Sequence, residues 1–321
     1  MKFFNIRSIL VRFQIVVVSL LLSFYCYSEV KNNPTNAVKI LVLGISQDAG
    51  FPQLNCYQAH CMPAWQDASL KKMAVSLGVV DVLTQKKYLF EATPDIRQQM
   101  YNLHHFHDPH FKLEGIFLSH AHIGHYTGLM HLGHEAASSK GMTVYAMPRM
   151  KKFLQSNGPW SQLIDYNNIE LSPLANASTV KLSKNLSVTP FLVPHRDEFS
   201  ETVGFKITGP TKSALFIPDI DKWSKWNLDI SKEISKVDYA LIDATFYQNG
   251  EIPNRDMKNI PHPFVQESMQ LLQPMSVQNK AKVIFIHFNH TNPLLQKDSK
   301  ARQNVIKAGY KIAYEGMEID L

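Results

Sequence analysis

Apolar positions in this chain fall into short blocks that stop abruptly at polar loops marked by glycine or proline. The blocks at 39–43, 75–80, 88–90, 115–118, 142–146, 186–193, 202–207, 213–217, 237–242, 282–286 and 310–314 read as strands. Helical spacing recurs at 96–103, 126–137, 148–154, 264–272 and 295–308, with Pro148 suited to the first turn of the third. Strands interleaved with helices predict an α/β chain. Its 321 residues allow one large domain or two modest ones. No internal repeat and no low-complexity stretch is present.

The ends of these blocks carry the chemistry. The apolar run 115–118 stops at Ser119-His120-Ala121-His122-Ile123-Gly124-His125. His120 and His122 flank one residue, so a turn at the strand end aims both imidazoles at one point, while His125 opens the next element and faces a neighbouring point. Three imidazoles in six residues is a dense set of metal ligands. Other strands stop in the same way, at His195, Asp219, Asp243 and His287. In α/β folds, ligand sites gather where strands end and loops begin.

The expected first ligand set is His120, His122, His195 and Asp219. Asp219 is shared with a second set containing His125 and His287. Nitrogen-rich ligation fits zinc, with iron or manganese as further candidates. A metal-bound water with a pKa near ~7 would provide hydroxide for attack on a carbonyl or phosphoryl group. His262, held between Pro261 and Pro263, is a candidate ligand or proton donor to a leaving group. His290, in the loop after His287, is a candidate for orienting a ligand. Arg196 is placed either to meet an anionic substrate or to pair with a nearby acid. His104, His105, His107 and His110 are expected in a solvated loop, and Trp223 and Trp226 in packing.

The first residues read as an export signal. Lys2, Arg7 and Arg12 precede the apolar run 15–25, and Cys26-Tyr27-Ser28 offers small residues for cleavage before Glu29. The expected organisation is a signal peptide at 1–28, a linker at 29–38 and one domain at 39–321, in a periplasmic or secreted protein with no membrane span after cleavage. The net charge of +6 includes those three basic residues, so the mature chain carries only about +3. That is too mild to predict nucleic-acid binding and leaves a small molecule as the expected partner. Cys56 and Cys61 read as a disulfide closing a small loop, or with His60 as a small metal site. The oligomeric state stays open.

At these residues the chain resembles the metallo-β-lactamase fold superfamily, whose signature H-x-H-x-D-H, distant His, Asp and final His is matched by His120, His122, Gly124, His125, His195, Asp219 and His287. Within it, the pyrroloquinoline-quinone biosynthesis protein B branch is similar at Val42-Leu-Gly44, Gly50-Phe-Pro-Gln-Leu-Asn-Cys56, Thr93-Pro-Asp-Ile-Arg97, Val193-Pro-His-Arg-Asp-Glu198, Thr202-Val-Gly204, Ile217-Pro-Asp219 and His287-Phe-Asn-His-Thr-Asn-Pro293. The resemblance implies a four-layer αβ/βα sandwich with metals at one edge, and a metallohydrolase acting on an ester, lactone, lactam or phosphodiester. It also allows an iron-dependent oxygenase, a cofactor-biosynthesis protein or a metal-binding protein without catalysis. Gly124 departs from the pattern: the family has Asp there, so a weaker second site is expected.

Overall fold

The structure is a computed structural model and describes residues 37–321. The expected signal peptide and linker residues 29–36 lie outside the described residues. Val38, assigned to the linker, already belongs to the first strand. Among the described residues, no helix is long and apolar enough to cross a membrane.

Two seven-stranded sheets form the frame. The first contains β1 (Val38–Gly44), β2 (Ser76–Asp81), β3 (Lys86–Phe90), β4 (Lys112–Phe117), β5 (Met142–Ala146) and β6 (Ile169–Pro173). The second contains β7 (Val180–Lys181), β8 (Ser187–Leu192), β9 (Val203–Thr208), β10 (Ser213–Ile217), β11 (Tyr239–Asp243), β12 (Val283–Ile286) and β13 (Lys311–Ile312). The last strand, β14 (Glu318–Asp320), returns to pair with β1, so the chain end closes the first sheet.

Alternation along β1 shows why the apolar blocks are continuous. Ile40 and Val42 face the core between the sheets, whereas Leu41 and Leu43 face the helices covering the first sheet. Helix residues Ile96, Leu103, Met150 and Leu154 complete that outer layer. Ile234, Val265 and Val305 do the same for the second sheet. A strand buried on both faces needs apolar side chains at every position. Between the sheets, Phe90 stacks on Phe117 at 4.7 Å and meets the edge of Phe205 at 5.3 Å. These rings span the two sheets, and truncating one to Ala costs about 3–5 kcal/mol. The result is the four-layer αβ/βα sandwich.

Pairing sets a common direction. β1 and β3 are both antiparallel to β2, and β4 is parallel to β3. β8 and β10 are both antiparallel to β9, and β11 and β12 run parallel to β10. The strands followed by chemically interesting residues therefore finish together at one edge of each sheet.

Two expected helices are shorter than their patterns. The stretch 126–137 contains only the end of a helical turn, Ile123–Tyr126, and a 3-10 segment, Thr127–Leu132. A Cβ at Gly128 would collide with the backbone carbonyl of Thr93, so the chain is squeezed there and then turns at Gly133. The stretch 295–308 is helical only over Lys300–Lys307, where Ser299 Oγ accepts the Arg302 amide at 3.1 Å and starts the helix. Strands β6, β7 and β14 escape the pattern because few of their residues are apolar.

Candidate metal centre

Each strand end delivers one piece. β4 leads to His120 and His122, and the turn that follows carries His125. The loop after β8 brings His195, β10 is followed by Asp219, β11 ends on Asp243, and β12 is followed by His287. Asp219 is the hub. Its Oδ1 lies 3.3 Å from His195 Nε2 and 3.1 Å from His262 Nδ1. Its Oδ2 lies 3.3 Å from His120 Nε2, 3.5 Å from His125 Nε2 and 3.8 Å from His287 Nε2. His120 Nε2 and His122 Nδ1 are 2.8 Å apart.

Ligand atoms of His120, His122, His195 and Asp219 all lie within 4.8 Å of one another, as do those of Asp48, His125, Asp219 and His287. Several ring nitrogens and carboxylate oxygens of these groups are buried without a hydrogen-bond partner: both ring nitrogens of His125 and His195, His287 Nε2, and Oδ1 of both Asp219 and Asp48. Such atoms are costly unless paired. Nitrogens about 2.1 Å from a tetrahedral zinc stand roughly 3.4 Å apart, close to the separations seen here. The donor set fits a divalent cation.

A third grouping, Asp219, Asp243, His262 and His287, is already bonded within itself. His262 Nδ1 lies 2.8 Å from Asp243 Oδ2. Thr245 Oγ1 donates to Asp243 Oδ1 at 2.6 Å, so it accepts from His287 Nδ1 at 2.8 Å. That relay fixes the tautomer of His287 and leaves Nε2 as its basic nitrogen. The Glu91 carboxylate lies near His125, with Oε2 3.5 Å from Nδ1, and adds negative charge beside that ring. Asp48, Glu91 and His287 all have positive φ, at 30°, 71° and 69°. Strained backbone of this kind persists where the surroundings dictate it.

Electrostatics divide the histidines. Burial pushes His120 well below its ordinary value, His122 down, and His195 down to about 4, so these rings are neutral and available as ligands. Burial opposes charge on His262 too, but the Asp243 and Asp219 carboxylates override it and hold the group at about 10. At His125 the carboxylates of Asp219, Asp48 and Glu91 likewise override burial and raise it well above its ordinary value. Burial works against the Asp219 carboxylate, yet His195, His262 and His287 keep it well below its ordinary value.

His290 sits apart. Its ring is 5.6 Å from that of His60, and burial together with His60 pushes it down to about 4. No side-chain hydrogen bond links it to the ligands among the described residues, because three residues past His287 the loop has already turned to the 56–61 segment. The expectation that it orients a ligand has no hydrogen bond behind it among the described residues. Cys56 and Cys61 are joined in a disulfide, so the alternative metal site with His60 has lost its thiols. Arg196 lies 3.7 Å from Glu198 on the surface and also lines a cavity of about 440 Å³. Asp48, Arg255, His262 and His290 line it too. A second groove of about 700 Å³, with Phe191, Leu192 and Trp226 in its wall, also includes His195 in its lining. Trp223 is buried and donates to Ser268 Oγ at 2.9 Å. His104, His105, His107 and His110 are solvent-exposed as expected, but His104 and His105 close the helix Ile96–His105 rather than lying in the loop.

The sequence reading missed Asp48, Glu91 and Thr245. Glu91 directly follows β3, so the strand-end rule that found the histidines would have found it, whereas Asp48 lies four residues past the end of β1 and is placed by tertiary contacts.

A model of the beta-lactamase superfamily domain matches residues 86–288, and the chain belongs to that family. Within it, the chain is similar to Coenzyme PQQ synthesis protein B. It is 24% identical to the protein of Methylobacterium sp. (strain 4-46), over 88% of this chain and 100% of that one. It is 26% identical to the protein of Rhizobium meliloti (strain 1021), over 90% and 100%. Zn(2+)-bound PqqB from Methylobacterium extorquens has the same fold, with a TM-score of 0.74 at 24% identity over 88% and 100% of the chains. A diphosphatase from the PhnP family follows with a TM-score of 0.63 at 18% identity over 88% and 97%.

Proposed function

We propose that this chain is a metal-dependent hydrolase acting on a small, negatively charged ester, a phosphodiester in particular. The carrying observation is the convergence of His120, His122, His195 and Asp219 within 4.8 Å of one another, with orphaned ligand atoms, beside a cavity that also presents Arg196 and Arg255. Zinc held by those four residues would act as a Lewis acid and lower the pKa of its water from about 15.7 to about 7. The Zn(2+)-bound PqqB relative supports zinc as the ion.

The remaining work falls to side chains. Arg196 and Arg255 bind the anionic group at the cavity wall and orient the scissile bond. His262 carries a proton at neutral pH, because two carboxylates hold it at about 10. Its Nδ1 edge is occupied by Asp243, which leaves Nε2 to donate to a departing oxygen. Asp243 keeps that ring oriented, and Thr245 ties the same carboxylate to His287.

Cofactor biosynthesis is the second reading, favoured by relatives of that name matching 88–90% of the chain. We further propose export to the periplasm or beyond. The leader-like residues 1–28 support it, and so does the Cys56–Cys61 disulfide, a bond that persists in oxidising compartments. A panel containing bis(p-nitrophenyl) phosphate, a neutral ester, a lactone and a lactam tests the main reading, with metal measured on the same sample. Zinc content with phosphodiester turnover supports it; retained zinc without turnover of any member overturns it, and iron with oxygen uptake favours an oxygenase.

A further inference from the structure

Gly124 stands where the H-x-H-x-D-H pattern has a carboxylate, and the volume beside it is filled from another part of the chain. A Cβ placed on Gly124 would collide with Asp48 Cα and lie 2.5 Å from Asp48 Oδ1. The Asp48 carboxylate faces the same histidine that a side chain at 124 would accompany. Its Oδ1 is 3.3 Å from His125 Nε2 and has no hydrogen-bond donor. A carboxylate oxygen of Asp48 also falls within one 4.8 Å group with His125, Asp219 and His287.

The loop that delivers Asp48 is knitted to the loop that delivers His287. Phe288 donates its amide to Ile45 O at 2.8 Å, and Gln47 donates to Phe288 O at 2.9 Å. Asp48 itself is held at φ 30°, a conformation that a non-glycine residue keeps only when its surroundings impose it. Its neighbours therefore fix the carboxylate against His125 rather than letting it swing into water.

We infer that Asp48 replaces the missing Asp of the H-x-H-x-D-H pattern and completes a second metal site with His125, Asp219 and His287. The glycine and the aspartate are complementary: the β1 loop supplies the carboxylate, and position 124, without a side chain, leaves room for it. The second site keeps two carboxylates and two imidazoles, so its charge is conserved. This inference rests on the metal-centre reading above and adds the number of ions and the identity of one ligand.

Zinc equivalents on the full chain, stripped and reloaded, test it by elemental analysis and competition titration. Unmutated protein is expected to bind two equivalents, and Asp48→Asn one. The second affinity should fall by more than the roughly 10–100-fold that loss of an outer hydrogen-bond partner brings. The first affinity should change by no more than a few-fold. Asp48→Ala repeats the test with a shorter side chain, and circular dichroism of the metal-free forms checks folding. Two equivalents in both Asp48 variants, or a single equivalent in the unmutated protein, overturns the role of Asp48 and leaves the first site standing. No zinc in any form overturns the metal centre itself.

Discussion

His262 Nδ1 sits 2.8 Å from Asp243 Oδ2, and that contact makes the ring a cation in the metal-free protein. The group moves from 6.5 to about 10, whereas burial moves His195 from 6.5 to about 4. The signs are opposite. A raised histidine stabilises the fold fully below pH 6.5 and loses that contribution as pH climbs through about 10. A depressed one stabilises above pH 6.5 and loses its contribution as pH falls towards about 4. Chemical denaturation in chelator is expected to show greatest stability between these limbs. His262→Gln should reduce the alkaline limb, on the order of a few kcal/mol, leaving the part that the raised His125 contributes. An unchanged alkaline limb would contradict the His262–Asp243 pairing.

From the ligand pattern alone, Gly124→Asp is expected to restore a carboxylate and raise metal stoichiometry. The packing reverses that expectation. Any Cβ at 124 strikes Asp48, and backbone as well as carboxylate must retreat. Gly124→Ala, which adds no ligand and removes none, should therefore weaken the second ion, and Gly124→Asp should not gain one. Titration of zinc into both variants checks this; a rise to more zinc than the unmutated protein binds would show that the two positions are independent.

Thr245 links Asp243 to His287 through a single hydroxyl. Thr245→Val keeps the shape and removes the relay, so His287 loses the acceptor that fixes its tautomer. Metal affinity should fall by about 10–100-fold, and the metal-free protein should lose on the order of 1–3 kcal/mol because His287 Nδ1 is left buried without its partner. Isothermal titration on the variant reads the first and a melting curve the second.

Arg196 and Arg255 share the wall of the cavity with His262. Replacing either with Ala should raise KM for a phosphodiester about tenfold, leaving a neutral ester of similar size nearly unaffected. Equal losses on both substrates would argue that these arginines do not read charge.

Much of the centre was legible because its ligands are chemically loud and sit where apolar strands stop. His120, His122, His125, His195, Asp219 and His287 can be chosen by residue type and position, and the sandwich gathers all six at one edge. Asp48 is different. A loop aspartate ahead of a glycine reads as a turn residue, and its meaning depends on a contact with Gly124 far along the chain. His290 shows the limit of nearness in sequence: three residues past His287 its ring lies 5.6 Å from that of His60. The 126–137 pattern was apolar enough for a helix, but the crowding at Gly128 is a tertiary fact that periodicity does not contain.

The most direct measurement is an anomalous difference map from a crystal of the zinc-loaded protein, recorded at the zinc edge. The account predicts a peak bounded by His120 Nε2, His122 Nδ1, His195 Nε2 and the Asp219 carboxylate. A map with no peak among those four residues, or with zinc only beside His60 and His290, would contradict it.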